Sequence, residues 1–249
     1  MKPEILLGSD RTKPCVRQVY GVSGSGKTYF LARMIAASKA GDFPPLHRII
    51  VIDVKHEGYS NLVAEVDHTA DETIETIQES RISVMHPEIG NAMDEIDKVI
   101  AYAFDTAQRL PDFGATIVIE ESSTYVSPTY VPDSIRRLAT QGRSLGLSLI
   151  LANQRALSNR WTDTQSTSIT MFRLAIPDRD VLKKRWGVDA EELDNRLSDR
   201  KFSFAHYDLE NLTLGYFDPI PEKAITKPKK RRKGLSGMSG RFKRSFVKM

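Results

Sequence analysis

GVSGSGKT, residues 21–28, is the stretch on which the reading of this chain turns. It matches the spacing G-x-x-x-x-G-K-[ST], and its flanks agree with the chemistry that spacing serves. CVRQVYGV, residues 15–22, reads as a short β-branched strand, and KTYFLARMIAASKA after it has apolar residues at helical spacing. A glycine loop between a strand and a helix cradles phosphates. The glycines let the backbone wrap closely, and the loop N–H groups and the helix start supply positive potential. Lys27 reaches the β and γ phosphates, and Thr28 holds Mg²⁺. The expected nucleotide contacts are Gly21, Val22, Ser23, Gly24, Ser25, Gly26, Lys27, Thr28 and Tyr29, with ATP and Mg²⁺ as cofactors.

Outward from that loop, strand and helix patterns alternate. HRIIVIDV (47–54) is a continuous apolar run of the kind buried on both faces, and RISVMH (81–86) is another strand. A helix is expected between Asn91 and Leu110, ended by Pro111 and Gly114. Then come a strand ATIVIEE (115–121), a Ser-, Thr-, Tyr- and Pro-rich loop, a helix through IRRLATQGRSLG and a strand LSLILANQ (147–154). A polar loop, a strand SITMFRLAIP, two short helices and a hairpin over KFSFAHYDLENLTLGYFD complete the order. Such alternation implies a mostly parallel sheet covered on both faces.

The strand IVIEE presents two acids at the carboxyl end of an apolar run. Glu120 is placed to support the Mg²⁺ shell with Thr28, and Glu121 to polarise an attacking water, which suits a hydrolase rather than an enzyme that must exclude water.

The stretch RRLATQGRSLGLSLILANQR (136–155), a helix ending in GR followed by a turn and an apolar strand closed by NQR, resembles the FtsK/HerA group of ring-forming DNA-pumping ATPases. IDVKHEGYSN (52–61) is similar to the Asp-x-Lys segment that follows the second strand in that group. The resemblance runs from about Val16 to Asp218. It implies a P-loop NTPase (RecA-like, ASCE) three-layer α/β sandwich, to which the residue pattern adds the C-terminal β-hairpin and a disordered basic tail. It further implies that Gln154 is the polar sensor between the two nucleotide-binding strands, and that Arg143 is a finger supplied to the neighbouring subunit. Arg136, Arg137 and Arg155 are rivals for that last role. The group often has Asp where this chain has Glu120.

Three parts are expected: an extension over 1–14, a motor domain over 15–226 and a tail over 227–249. A motor core of this size, with neither an added barrel nor a nuclease, most resembles the A32-type genome-packaging ATPases of tailless double-stranded DNA viruses. The resemblance therefore implies a ring homo-oligomer, hexameric in the group, that moves double-stranded DNA into a capsid and meets capsid vertex proteins. It places the protein in the host cytoplasm during assembly, with the virion vertex, or the nucleus of a eukaryotic host, as other stations.

Composition bears on partners. The net charge of +4 divides into a tail with ten Lys and Arg and no acids and a body with 26 basic against 32 acidic residues. A tail so charged and so poor in core formers is expected to be disordered and to bind polyanions, through Lys229, Lys230, Arg231, Arg232 and Lys233. Arg155, Arg160 and Trp161 in the loop 155–165 are further candidates for the DNA backbone, with a surface loop packed on its tryptophan as the plain alternative. Tyr125 and Tyr130 stand in the same position. No apolar run is long enough to span a bilayer, and the amino terminus lacks a secretory pattern. The single cysteine, Cys15, reads as core filler, and the five histidines show no metal-ligand spacing. Other readings remain: a conjugation, secretion or phage-assembly ATPase, a small-molecule kinase, or a scaffold in which nucleotide is only a switch.

Overall fold

The computed structural model describes residues 15–38, 46–156, 159–198 and 201–220. The amino-terminal extension and the basic tail, with its five candidate Lys and Arg residues, lie outside them.

Eight strands form one sheet: β1 (Val16–Tyr20), β2 (Leu46–Ile52), β3 (Ile82–Met85), β4 (Phe113–Ile119), β5 (Leu147–Asn153), β6 (Ser168–Met171), β7 (Phe204–Asp208) and β8 (Thr213–Phe217). Their order is β3-β2-β4-β5-β1-β6-β7-β8. The first six are parallel, and β7 and β8 join antiparallel as the expected hairpin.

The helices are α1 (Lys27–Ala37), α2 (Ala70–Glu79), α3 (Ala92–Arg109), α4 (Asp133–Gln141), α5 (Arg160–Gln165), α6 (Ile176–Trp186) and α7 (Ala190–Ser198). The period-2 alternation of each strand sorts them into layers. Ile50 and Ile52 face a cluster with α2, α3 and α4, whereas Ile49 and Val51 face one with α1. A third cluster, around Ile169, Met171, Leu182 and Leu193, packs α6 and α7 near β6. Every residue of β4 and β5 is buried, the mark of central parallel strands, and each such Ile, Val or Leu contributes about 1.5–3 kcal/mol by leaving water.

Three expectations need correction. β4 stops at Ile119 and starts at Phe113, so Gly114 lies inside a strand rather than ending a helix, and Glu120 and Glu121 stand just beyond it. The segment 155–165 is not all loop: Asn159 caps α5 by accepting from the Trp161 N–H at 2.8 Å. The helix α2 is an addition to the expected elements, and its signal is in the sequence. Thr69 and Glu72 form a reciprocal capping box at its start.

Candidate active site

Strand order brings the distant motifs together. β1 lies between β5 and β6, and β5 lies between β1 and β4, so the segments following β1, β4 and β5 emerge side by side at one edge of the sheet. This is the carboxyl edge where open α/β sheets bind ligands.

The glycine loop is pinned on both flanks: Gly21 N–H donates to Asn153 O at 3.3 Å and Val22 N–H to Arg173 O at 2.9 Å. Gly26, with φ of 108°, holds a backbone conformation that side chains rarely adopt, and Phe202 lies so close that a Cβ there would sit 2.6 Å from the ring. α1 starts at the next residue. Lys27 is buried, and its ammonium donates to Gly21 O at 2.7 Å and Val22 O at 3.4 Å. Burial lowers its pKa, against the pull of Glu120 and Glu121.

Glu120 is 3% exposed, and its carboxylate accepts from the Tyr59 hydroxyl at 2.5 Å and from Thr28. Burial raises its pKa, while the Tyr59 and Thr28 hydroxyls and Lys27 work to hold it down. Glu121 has φ of 48° and ψ of 41°, a left-handed turn that is costly for a residue with a side chain. The turn is held by Asn153, whose Oδ1 accepts from Ser122 Oγ at 2.8 Å and Ser123 N at 2.6 Å. Thus directed, the Glu121 carboxylate meets two donors: Gln154 Nε2 at 3.0 Å and Lys55 Nζ at 2.6 Å.

Asp53, beyond the end of β2, is 1% exposed. Burial, and then the neighbouring Glu120, raise its pKa to about 6. Lys55 N–H donates to its Oδ1 at 3.2 Å, while its Oδ2 is buried without a hydrogen-bond partner and lies 3.5 Å from His86 Nε2.

Of these groups, Gly26, Lys27, Thr28, Asp53, Lys55, Glu120, Glu121 and Phe202 line a cleft of about 380 Å³ with Ser23, Gly24, Tyr29 and Lys201. A lysine in the loop and N–H groups at a helix start suit a polyanion, and the carboxylates beside them supply candidate proton acceptors.

No protein-family model matches the chain, and no curated protein matches it in sequence. Solved structures do. The genome packaging NTPase B204 from Sulfolobus turreted icosahedral virus 2, in complex with ATP-gammaS, superposes with a TM-score of 0.65 at 20% identity, over 84% of this chain and 98% of that one. The chain folds as a P-loop NTPase. VirB4 of Thermoanaerobacter pseudethanolicus is similar at a TM-score of 0.61 and 10% identity, over 86% of this chain and 91% of VirB4. The cytoplasmic domain of the Thermomonospora curvata Type VII secretion ATPase EccC gives 0.52 at 18%, over 87% of this chain but 27% of EccC.

The fold gathers most of the residues singled out in sequence. Ser23, Gly24, Gly26, Lys27, Thr28, Tyr29, Glu120 and Glu121 line the cleft, Gly21, Val22 and Ser25 shape the loop, and Gln154 reaches Glu121 from just beyond β5. Arg143 is elsewhere. It precedes β5, at the opposite edge of the sheet, with a side chain 60% exposed and 3.5 Å from Glu210. Its rivals are engaged: Arg136 lies over Trp161, Arg137 over Phe104 at 4.3 Å, and Arg155 pairs with buried Asp178 at 2.9 Å. Trp161 is half-buried against the core, and Arg160 is exposed beside it.

Sequence reasoning assigned no role to Asp53, Lys55, Tyr59, Lys201 or Phe202. The first two stand in the Asp-x-Lys segment, which was a legible signal. Tyr59 stands four residues further on in the same quoted stretch, but nothing there marks it as a partner of Glu120, and Lys201 and Phe202 reach the site only through folding.

Proposed function

We propose that this NTPase is an ATP hydrolase that works in a ring and drives double-stranded DNA into a viral capsid. The observation that carries the hydrolytic part is the Gln154–Glu121 contact, made on a carboxylate that lines one cleft with Lys27. Lys27 exchanges the Gly21 and Val22 carbonyls for β and γ phosphate oxygens. Glu121 accepts a proton from the attacking water, with Gln154 and Lys55 fixing its direction.

The residues present fit Mg²⁺. Thr28 and Glu120 already share a hydrogen bond, and the unpartnered Oδ2 of Asp53 adds a hard oxygen nearby. Thr28 and Glu120 would hold the ion together with phosphate oxygens, and it would neutralise charge on the γ-phosphoryl group. Asp53 and Tyr59 then act on Glu120, one by repulsion and one by donation.

Charge spreads over the γ-phosphoryl oxygens in the transition state, so a guanidinium from the next subunit accelerates hydrolysis and couples it to ring motion. Arg143 suits that role because it faces away from its own cleft and only an exposed ion pair engages it. DNA passes along the ring axis and is held mainly through phosphates, by Arg160 and the basic tail. The fold likeness to a genome packaging NTPase supports this cargo, and the likeness to a secretion ATPase supports a second reading, export of a different cargo by the same motor.

ATP turnover with and without double-stranded DNA, together with particle mass in the presence of nucleotide, tests the proposal. A DNA-stimulated ring supports it. A ring indifferent to DNA moves the cargo to the second reading.

A further inference from the structure

The cleft that holds the acids also has an aromatic wall. The Tyr29 ring, in the first turn of α1, stacks on Phe202 with centroids 5.3 Å apart and planes at 22°. Its position is fixed by the Arg33 guanidinium 4.9 Å from the ring centroid. Phe202 is anchored too, with its ring edge against Gly26, while Lys201 Nζ lies 4.9 Å over its face. Phe202 has φ of 70°, an uncommon conformation for a bulky residue, and it aims the ring at the glycine loop from the segment before β7. Lys201, Phe202 and Tyr29 share the cleft with Lys27, Thr28 and Glu120.

We propose that Phe202, backed by Tyr29, is the surface on which the base of the bound nucleotide stacks, and that the site takes purine nucleoside triphosphates with little discrimination between adenine and guanine. This rests on the nucleotide-binding reading of the glycine loop. With the terminal phosphate directed to Lys27 and the acids, the nucleoside must leave the loop past Thr28 and Tyr29, where the wall stands. A Lys over an aromatic face marks a face that a planar ring can occupy, and the displaced ammonium remains on the wall of a cleft built for a polyanion. Stacking reads the extent of a ring and not its edge, so purines gain more than pyrimidines, and the two purines gain alike.

The test is equilibrium binding of ATP, GTP, CTP and inorganic tripolyphosphate, each with Mg²⁺, to the full chain and its variants. The unaltered chain should bind ATP and GTP within about threefold of each other and roughly tenfold or more tighter than tripolyphosphate. Phe202→Ala should erase that advantage, lowering ATP affinity by far more than tripolyphosphate affinity. Phe202→Trp should keep the advantage, with indole fluorescence quenched by ATP and not by tripolyphosphate. An ATP affinity unaltered in Phe202→Ala, an equal loss for ATP and tripolyphosphate, or a Phe202→Trp signal blind to ATP each overturns the proposal. Lys27→Ala serves as the separate control: tripolyphosphate binding unaffected by it would refute the glycine-loop reading itself, whatever Phe202 does.

Discussion

The side-chain amide of Gln154 donates to the carboxylate of Glu121 at 3.0 Å, joining two residues 33 positions apart that stand on neighbouring strands' ends. The contact gives the proposed general base a fixed direction. Gln154→Ala should lower kcat by roughly tenfold to a hundredfold with little change in KM for ATP, because the lost contact orients a group that acts in the transition state. Glu121→Gln should lower kcat further, by about a hundredfold or more, and still bind ATP. Steady-state kinetics beside equilibrium nucleotide binding separates the two effects.

Tyr59 donates to Glu120 at 2.5 Å in a wholly buried setting. Burial pushes the Glu120 pKa up and the Tyr59 hydroxyl opposes that push, so Tyr59→Phe should raise the pKa further. The acid limb of the kcat profile should move to higher pH, and the protein should lose about 1–3 kcal/mol for a buried acceptor left short of a donor. A pH profile unmoved by the substitution contradicts the assigned coupling.

Two buried histidines remote from the cleft set a pH dependence of stability. His47 and His206 each hydrogen-bond a threonine, Thr116 at 2.9 Å and Thr170 at 3.0 Å, and burial, followed by nearby arginines, lowers both pKa values to about 4. A lowered histidine pKa means that the unfolded chain binds the proton more readily. Stability is therefore complete above pH ~6.5 and falls as pH drops toward 4, by at most about 3 kcal/mol for each histidine. Thermal unfolding at pH 7.5 and 5 should show the loss, and His47→Gln with His206→Gln should flatten it.

Much of this arrangement was legible because the informative residues are adjacent in sequence. The glycine loop, the β4 and β5 runs and the paired acids are continuous stretches whose residue types dictate both strand burial and chemistry. The sequence order of the strands does not by itself give their order in the sheet, and the place of β5 between β1 and β4 came from resemblance. Glu121 was expected on a strand, yet Asn153 draws it into a left-handed turn through Ser122 and Ser123, a tertiary effect with no local signature. Tyr59 was hidden for the same reason. Trp161 reads equally well as a ligand contact or as core, and only its packing against the α3 and α4 cluster shows which surroundings it has.

Arg143 offers a test of assembly. Alone among the four arginines considered it is held only by an exposed pair, with Glu210 at 3.5 Å. Arg143→Ala should abolish turnover by itself, whereas mixing it with Lys27→Ala should restore part of it, since some interfaces then combine an intact loop with an intact finger. Glu210→Ala should leave turnover close to that of the unaltered chain. No recovery on mixing would assign Arg143 to a solvated turn.

The most direct measurement is ATP turnover by the full chain with and without double-stranded DNA, in parallel with Lys27→Ala and with particle mass recorded in nucleotide. A DNA-moving motor should form a ring and hydrolyse ATP faster when DNA is present, and Lys27→Ala should remove both the basal and the stimulated rate. A monomer whose turnover ignores DNA, or a Lys27→Ala variant as active as the unaltered chain, would contradict it.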